Sequence, residues 1–113
     1  MKRMKGKIFN MQNISSKELV TALNDGTDLM LIDVREAFEH NEFNIGGTLI
    51  PFQEILNHHQ IIHKNIPVVF YCEKGVRSQI AIQRLEEKFG FTNLINLTGG
   101  MYAWKKQIIN NDI

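Results

Sequence analysis

The 113-residue chain has one cysteine, Cys72, and cannot close a disulfide within itself. A small secreted scaffold stapled by disulfides is excluded, a reducing compartment is expected, and the thiol is free for chemistry. Long apolar runs are also missing. Leu29-Met30-Leu31-Ile32 and Val68-Val69-Phe70-Tyr71-Cys72 are strand-sized, far short of the roughly 20 residues that cross a bilayer as a helix. Nor does one charge prevail: thirteen basic against twelve acidic residues leave +1. Lys2, Arg3, Lys5 and Lys7 supply four positives before the first apolar pair, Ile8 and Phe9, so the rest of the chain is slightly negative. Such a body has no field to hold nucleic acid, and four cations on a short tail do not make a phosphate-binding face. Residues 1–7 read as a basic, solubilising extension, because Asn10, Gln12 and Asn13 interrupt the apolar stretch that a signal peptide needs. A soluble cytoplasmic protein without a membrane or nucleic-acid partner is the expectation.

What the sequence does contain is material for a core. Hydrophobic residues make up 43% and charged residues 22%, in a length that suits one domain over 8–113. There is no internal repeat, and Pro51 and Pro67 stand at the edges of apolar runs. Ser15-Ser16-Lys17-Glu18 fits a capping box with Ile14 and Leu19 as its hydrophobic staple; Leu19, Val20 and Leu23 form an apolar face, and Gly26 stops the helix. The two apolar runs, the second beginning at Pro67, are unbroken, as in strands of a parallel sheet covered on both faces. Residues 78–89 carry Ile82, Leu85 and Phe89 on one side and Arg84, Glu87 and Lys88 on another, then Gly90 as a cap, which predicts a second helix. Residues 94–97 predict a short strand, and Gly99-Gly100 leads into a last helix whose Met101, Trp104 and Ile108 share a face. This alternation predicts an α/β layer fold, in which ligands bind beyond the carboxyl ends of the strands. Asp33 and Cys72 stand at two such ends.

Cys72 is followed by a short loop containing Gly75 and then by a helix. A loop wrapped around a helix N-terminus turns backbone N–H groups inward and adds the positive end of the helix dipole, a setting that stabilises an anion or a thiolate. Two readings of Cys72 stand side by side: a nucleophile, or a buried cysteine that merely ends an apolar strand.

The segment Cys72-Glu73-Lys74-Gly75-Val76-Arg77-Ser78 resembles the active-site loop of rhodanese-type sulfurtransferases, Cys-x-x-Gly-x-Arg-Ser. Three further stretches resemble that family in the same order. They are Asp33-Val34-Arg35-Glu36, Ile45-Gly46-Gly47-Thr48-Leu49-Ile50-Pro51, and Leu97-Thr98-Gly99-Gly100-Met101 with Trp104. The resemblance extends from Ile14 to Trp104 and favours the nucleophile. It implies a three-layer rhodanese-like domain, with a mostly parallel five-stranded sheet flanked by helices. It also implies a sulfurtransferase in which Cys72 takes a sulfane sulfur from thiosulfate or a persulfide donor and passes it to a thiol or cyanide, with no cofactor and no metal. A second functional class is a sulfur-relay or docking module that acts mainly through a protein partner; the donor and acceptor are small molecules or proteins in either case. Departures from the family pattern are Asn44 where histidine is frequent, Thr48 where alanine is common, and a stretch from Thr48 to Pro51 one residue shorter than usual. They imply an altered rim beside the site.

Within the loop, Gly75 is expected to give the turn its backbone freedom, and the N–H groups of residues 73–77 to cradle a persulfide. Glu73 opposes a dianionic donor by like charge, and Lys74 is the expected exposed handle for an anion. Arg77 has two readings, orienting donor oxygens or holding the loop by carboxylate pairing. Ser78 is read as a helix-start residue. Val76 completes the loop. The resemblance implies that Asp33 and Arg35 brace the loop from behind instead of reacting, with Asp33 a candidate partner for a nearby donor. Phosphatases and arsenate reductases on similar folds place five residues between cysteine and arginine to admit a tetrahedral oxyanion; here there are four. His59 and His63 have i, i+4 spacing, as a metal pair on a helix would, yet no carboxylate or cysteine lies beside them, so with His58 they read as a solvated polar segment. His40, close after Asp33, has two readings, a residue facing the active site or, the favoured one, an exposed surface histidine, and Met101, Tyr102 and Trp104 read as core or rim packing.

Overall fold

The computed structural model describes residues 12–109. The basic 1–7 extension read from the sequence lies outside them. In chain order the elements are β1 (Gln12–Ile14), α1 (Ser16–Asn24), β2 (Met30–Asp33), α2 (Ala37–Glu42), β3 (Thr48–Leu49), two 3-10 segments (Phe52–Glu54 and Leu56–Ile61), β4 (Val68–Tyr71), α3 (Val76–Phe89), β5 (Leu94–Leu97) and α4 (Gly100–Ile109). The strands form one sheet in the order β1-β5-β4-β2-β3, and every pairing is parallel.

β4 shows why its run is apolar throughout. Val68 and Phe70 join Ile32, Val34, Ala81, Ile82 and Leu85 on the face covered by α3 and the 3-10 segments. Val69 and Tyr71 join Leu19, Leu97, Met101 and Trp104 on the face covered by α1 and α4. Side chains alternate across a strand, so a strand covered on both faces has no position left for a polar residue. The predicted three layers are present. Among the described residues, no helix is long and apolar enough to cross a membrane.

α1 begins where the capping box places it: the Glu18 N–H donates to Ser15 Oγ at 3.1 Å, and the Ser15 N–H donates to Glu18 Oε1 at 2.9 Å. α3 begins two residues earlier than the apolar pattern predicts. Gly75 takes φ +95°, a left-handed conformation open to glycine, and so turns the chain directly into the helix at Val76. α4 has its predicted place, but Ile108 is 48% exposed, so its apolar face consists of Met101 and Trp104.

The topology positions the site. β2 connects outward to β3 on one side, and β4 connects to β5 on the other. Loops leaving two adjacent strands in opposite directions open a crevice at their carboxyl ends. The register sets Asp33 opposite Tyr71, so Asp33 and Cys72 border this crevice from neighbouring strands.

Candidate active site

Cys72 is 1% exposed, and its sulfur lies within the loop that follows β4. The Gly75 N–H donates to Sγ at 3.1 Å and the Ser78 N–H at 3.4 Å. The donors are thus Gly75 and Ser78 rather than a run over 73–77, and the left-handed turn at Gly75 is what aims both inward. The Ser78 side chain also differs from the expected capping role. It is buried in the first turn of α3, with Oγ 3.3 Å from Cys72 Sγ and 2.6 Å from Asn96 Oδ1 on β5.

The outer side of the loop is tied to α4. The Met101 N–H donates to the Cys72 carbonyl at 2.9 Å, and the Tyr102 N–H donates to that of Glu73 at 2.8 Å. Gly100 makes this approach possible. It has φ +56°, and a Cβ there would collide with the Cys72 carbonyl oxygen and the Glu73 peptide. The Gly99-Gly100 pair therefore does more than start a helix: it brings that helix's first free N–H groups against the loop.

Asp33 and Arg35 form a buried pair. The Arg35 backbone N–H donates to Asp33 Oδ1 at 3.0 Å, and Arg35 Nη2 donates to Oδ2 at 2.8 Å. Arg35 Nη2 also donates to the Phe43 carbonyl at 2.6 Å, and Nη1 lies 3.8 Å from Glu73 Oε1. The brace expected from this pair reaches the loop only through Arg35, and the Glu73 carboxylate faces a guanidinium. His40 departs from its surface reading. It is half-buried, and its Nδ1 donates to Asp33 Oδ2 at 2.8 Å. Burial pushes the Asp33 carboxyl up, and the hydrogen bonds from Arg35 and His40 outweigh that, holding it below the ordinary range. Burial, with the Asp33 charge nearby, pushes the Tyr71 phenol up to about 12. Its hydroxyl donates to the Gly46 carbonyl at 2.8 Å and joins the sheet to the turn before β3.

Of the two readings of Arg77, carboxylate pairing is the one observed. Nη1 and Nη2 donate to Glu39 Oε1 and Oε2 at 3.0 and 3.1 Å. Lys74 is exposed, with Nζ 5.7 Å from the centre of the Tyr102 ring. Val76 is exposed beside it. Asn44, at the altered rim, donates to the His40 carbonyl and accepts from the Gly46 N–H, both at 2.8 Å. The histidine segment lies elsewhere: its backbone kinks at His58, His59 stacks on Phe89 at 3.7 Å, and His63 follows the end of the 3-10 segment, so the helical pairing of His59 with His63 does not form. Among the described residues, no group of three or more potential ligands is arranged to hold a metal ion.

The sequence model of the rhodanese-like domain matches residues 15–107. The chain belongs to the rhodanese-like family. It is similar to the probable adenylyltransferase/sulfurtransferase MoeZ of Mycobacterium tuberculosis, 35% identical over 98 residues that cover 84% of this chain and 25% of that protein. It is also similar to the adenylyltransferase and sulfurtransferase MOCS3 of Drosophila sechellia, 34% identical over 90 residues, 73% of this chain and 20% of that one. The chain spans a quarter or less of the length of these curated relatives. Among solved structures, a rhodanese-like domain protein from Staphylococcus aureus superposes with a TM-score of 0.75 at 30% identity, covering 83% of this chain and 91% of that one. A rhodanese homologue from Thermus thermophilus gives 0.64 at 26% identity, covering 81% and 99%.

Two partners in this rhodanese-like site, Glu39 and Asn96, escaped the sequence reading. Glu39 is found three residues after Glu36, whose N–H donates to Glu39 Oε1 at 2.9 Å, a first-turn signature of α2 that its short polar sequence hides. Asn96 had a signal too: a polar residue inside the apolar strand Leu94-Ile95-Asn96-Leu97.

Proposed function

We propose that this rhodanese-like chain is a sulfurtransferase of the thiosulfate type, moving a sulfane sulfur from thiosulfate or a persulfide donor to a thiol or cyanide through a persulfide on Cys72. The Cys72 thiolate attacks the outer sulfur of thiosulfate; an S–S bond forms at Sγ, and the bond to the sulfonate sulfur breaks, its electron pair leaving with sulfite. Cyanide or a thiolate then attacks the terminal sulfur, and the electron pair of the broken S–S bond returns to Sγ. No other cysteine is available to resolve the intermediate as a disulfide, so the acceptor comes from outside and ping-pong kinetics follow.

The observation that carries this reading is the pair of N–H donors, from Gly75 and Ser78, on the sulfur at a helix start. The same donors hold the resting thiolate and receive the charge that returns to Sγ when the acceptor takes the terminal sulfur. The occupation of Arg77 by Glu39 supports sulfur transfer over oxyanion chemistry, which needs an arginine fork free for phosphate or arsenate. Burial of Sγ favours a slim sulfane end as donor. Glu73, Lys74 and Val76 form the outer part of the loop, Arg77 and Ser78 fix its helical end, and Asp33 with Arg35 supports it from β2.

Intact-mass measurement after exposure to thiosulfate, with thiocyanate followed in parallel, tests the proposal. One sulfur atom should be gained on Cys72 and lost to cyanide as thiocyanate appears. Equal uptake by Cys72→Ser, or no uptake from any sulfane donor, overturns it.

A further inference from the structure

We infer that Asn96 is a positioning residue for the Cys72 sulfur, acting through the Ser78 hydroxyl: it holds that hydroxyl's only proton and so leaves Sγ with two hydrogen-bond donors instead of three. Its meaning for sulfur transfer rests on the function proposed above, whereas the proton arrangement stands on geometry alone.

Ser78 Oγ lies between two groups, Asn96 Oδ1 at 2.6 Å and Cys72 Sγ at 3.3 Å. An amide oxygen has no proton to give, so the hydroxyl proton must lie between Oγ and Oδ1. The Asn96 amide sets its oxygen on Ser78 and its nitrogen toward Gly75. Nδ2 faces the Gly75 carbonyl at 3.5 Å, and turning the amide round would set two oxygens against each other there. Bulk water does not reach the hydroxyl, since Ser78 is 0%, Cys72 1% and Asn96 5% exposed. Ser78 therefore presents a lone pair to the sulfur. It can accept from a neutral S–H, but it gives nothing to a charged sulfur, whose donors remain the Gly75 and Ser78 N–H groups.

Withholding that third donor has a kinetic consequence. A hydrogen bond to the attacking thiolate stabilises the ground state and weakens as charge leaves Sγ, so it raises the barrier to attack. In the persulfide the charge has moved to the terminal sulfur and Sγ is neutral, the state that a lone-pair-bearing hydroxyl opposes least. Asn96 thus favours attack by Cys72 and persulfide formation over retention of charge on Sγ. Its place on β5, in register with Phe70 of the strand that ends at Cys72, fixes the amide from the sheet rather than from the loop it serves.

The test is alkylation of the lone cysteine by iodoacetamide, followed by intact mass at a pH where the rate no longer rises, with Cys72→Ser as blank. This readout needs no sulfane sulfur. Asn96→Leu, which frees the Ser78 proton to turn to the sulfur, should slow alkylation by about three- to tenfold, the range for one net hydrogen bond. In a Ser78→Ala background the same substitution should change the rate by less than about twofold, because no hydroxyl remains to be released. An equal loss in both backgrounds would show that Asn96 acts only by bracing Gly75, and an unchanged rate in the Ser78 background would end the proposal outright. Asn96→Ala supplies the same cycle if leucine is not accommodated. Single-turnover sulfite release from thiosulfate should follow the same pattern; its absence in the unaltered protein would defeat the sulfurtransferase reading while the alkylation cycle still judges Asn96.

Discussion

Arg77 and Glu39, 38 residues apart in sequence, close a bidentate pair of 3.0 and 3.1 Å that ties the first turn of α3 to α2. The guanidinium is thereby engaged as a strut. Arg77→Ala should slow thiosulfate and a neutral persulfide donor alike and lower stability by about 1 kcal/mol or less, since the side chains are 34% and 19% exposed and water screens the pair. Steady-state rates with the two donors, beside a urea melt, check this. A loss confined to thiosulfate would place Arg77 on the substrate.

The same pair has a pH signature. The hydrogen bonds from Arg77 hold the Glu39 carboxyl below its usual 4.5, against the opposing effect of burial. A carboxylate with a lowered folded-state pKa contributes stability above its unfolded value, and that contribution is lost as pH falls through the folded value. Glu39→Gln should therefore lower stability at pH 7 and flatten the decline below about pH 4.5. Melts at several pH values decide it; a constant difference between the two proteins down to pH 2 would contradict the linkage.

Asp33 is a heavier case. It and Arg35 are both buried, and the further neighbours of the Arg35 guanidinium are the Phe43 carbonyl, the Tyr71 ring at 5.6 Å and a Glu73 carboxylate at 3.8 Å. Asp33→Ala leaves a buried guanidinium without its main partner, which should cost about 3 to 5 kcal/mol. That is a large share of the roughly 5 to 15 kcal/mol that holds a domain of this size. A urea midpoint lowered by less than about 1 kcal/mol equivalent would mean that Glu73 moves in to compensate.

What the sequence revealed and what it hid follow physical lines. α1, β4 and β5 were legible because each carries a local signal, a capping box in α1, an unbroken apolar run in β4 and a short apolar stretch interrupted once, by Asn96, in β5. β1 and β3 were not. Gln12–Ile14 and Thr48–Leu49 are short edge strands at the two sides of the sheet, and pairing with one neighbour places few demands on their side chains. In the site, the Cys72 loop could be read because its parts are contiguous. The pairings of Glu39 and Asn96 could not, because Arg77 meets the first across 38 residues and Ser78 meets the second across 18, distances that the crossovers of the sheet bring together.

Gly100 offers a test of how the loop is held. Alanine there would press its Cβ into the Cys72 carbonyl oxygen and the Glu73 peptide at a backbone angle of φ +56°. Gly100→Ala should cost about 1 to 3 kcal/mol and reduce Cys72 reactivity in the folded protein, because α4 must retreat from the loop it supports. Gly26→Ala is the control: its φ is +72°, but nothing lies within 4 Å of the added carbon. It should lower stability without touching the rate. Equal effects of both substitutions on the rate would show that α4 does not shape the loop.

Lys74 remains as the exposed cation of the loop, its ammonium over the Tyr102 ring. The Glu73 carboxylate is directed to Arg35 at 3.8 Å, so the charge beside Lys74 is already faced by another guanidinium. An anionic donor approaching the loop therefore meets Lys74 as a free positive charge. Lys74→Ala should weaken the use of thiosulfate by about two- to tenfold while sparing a neutral persulfide donor, an effect on encounter rather than on the sulfur itself. Folding should survive, because the side chain lies outside both cores. Salt should shrink the difference, since exposed charges are screened across about 8 to 10 Å at ordinary ionic strength, and the rate of the unaltered protein on thiosulfate should fall toward that of the variant. Equal losses for both donors, insensitive to salt, would remove Lys74 from this role and leave thiosulfate to be met by the Gly75 and Ser78 N–H groups alone.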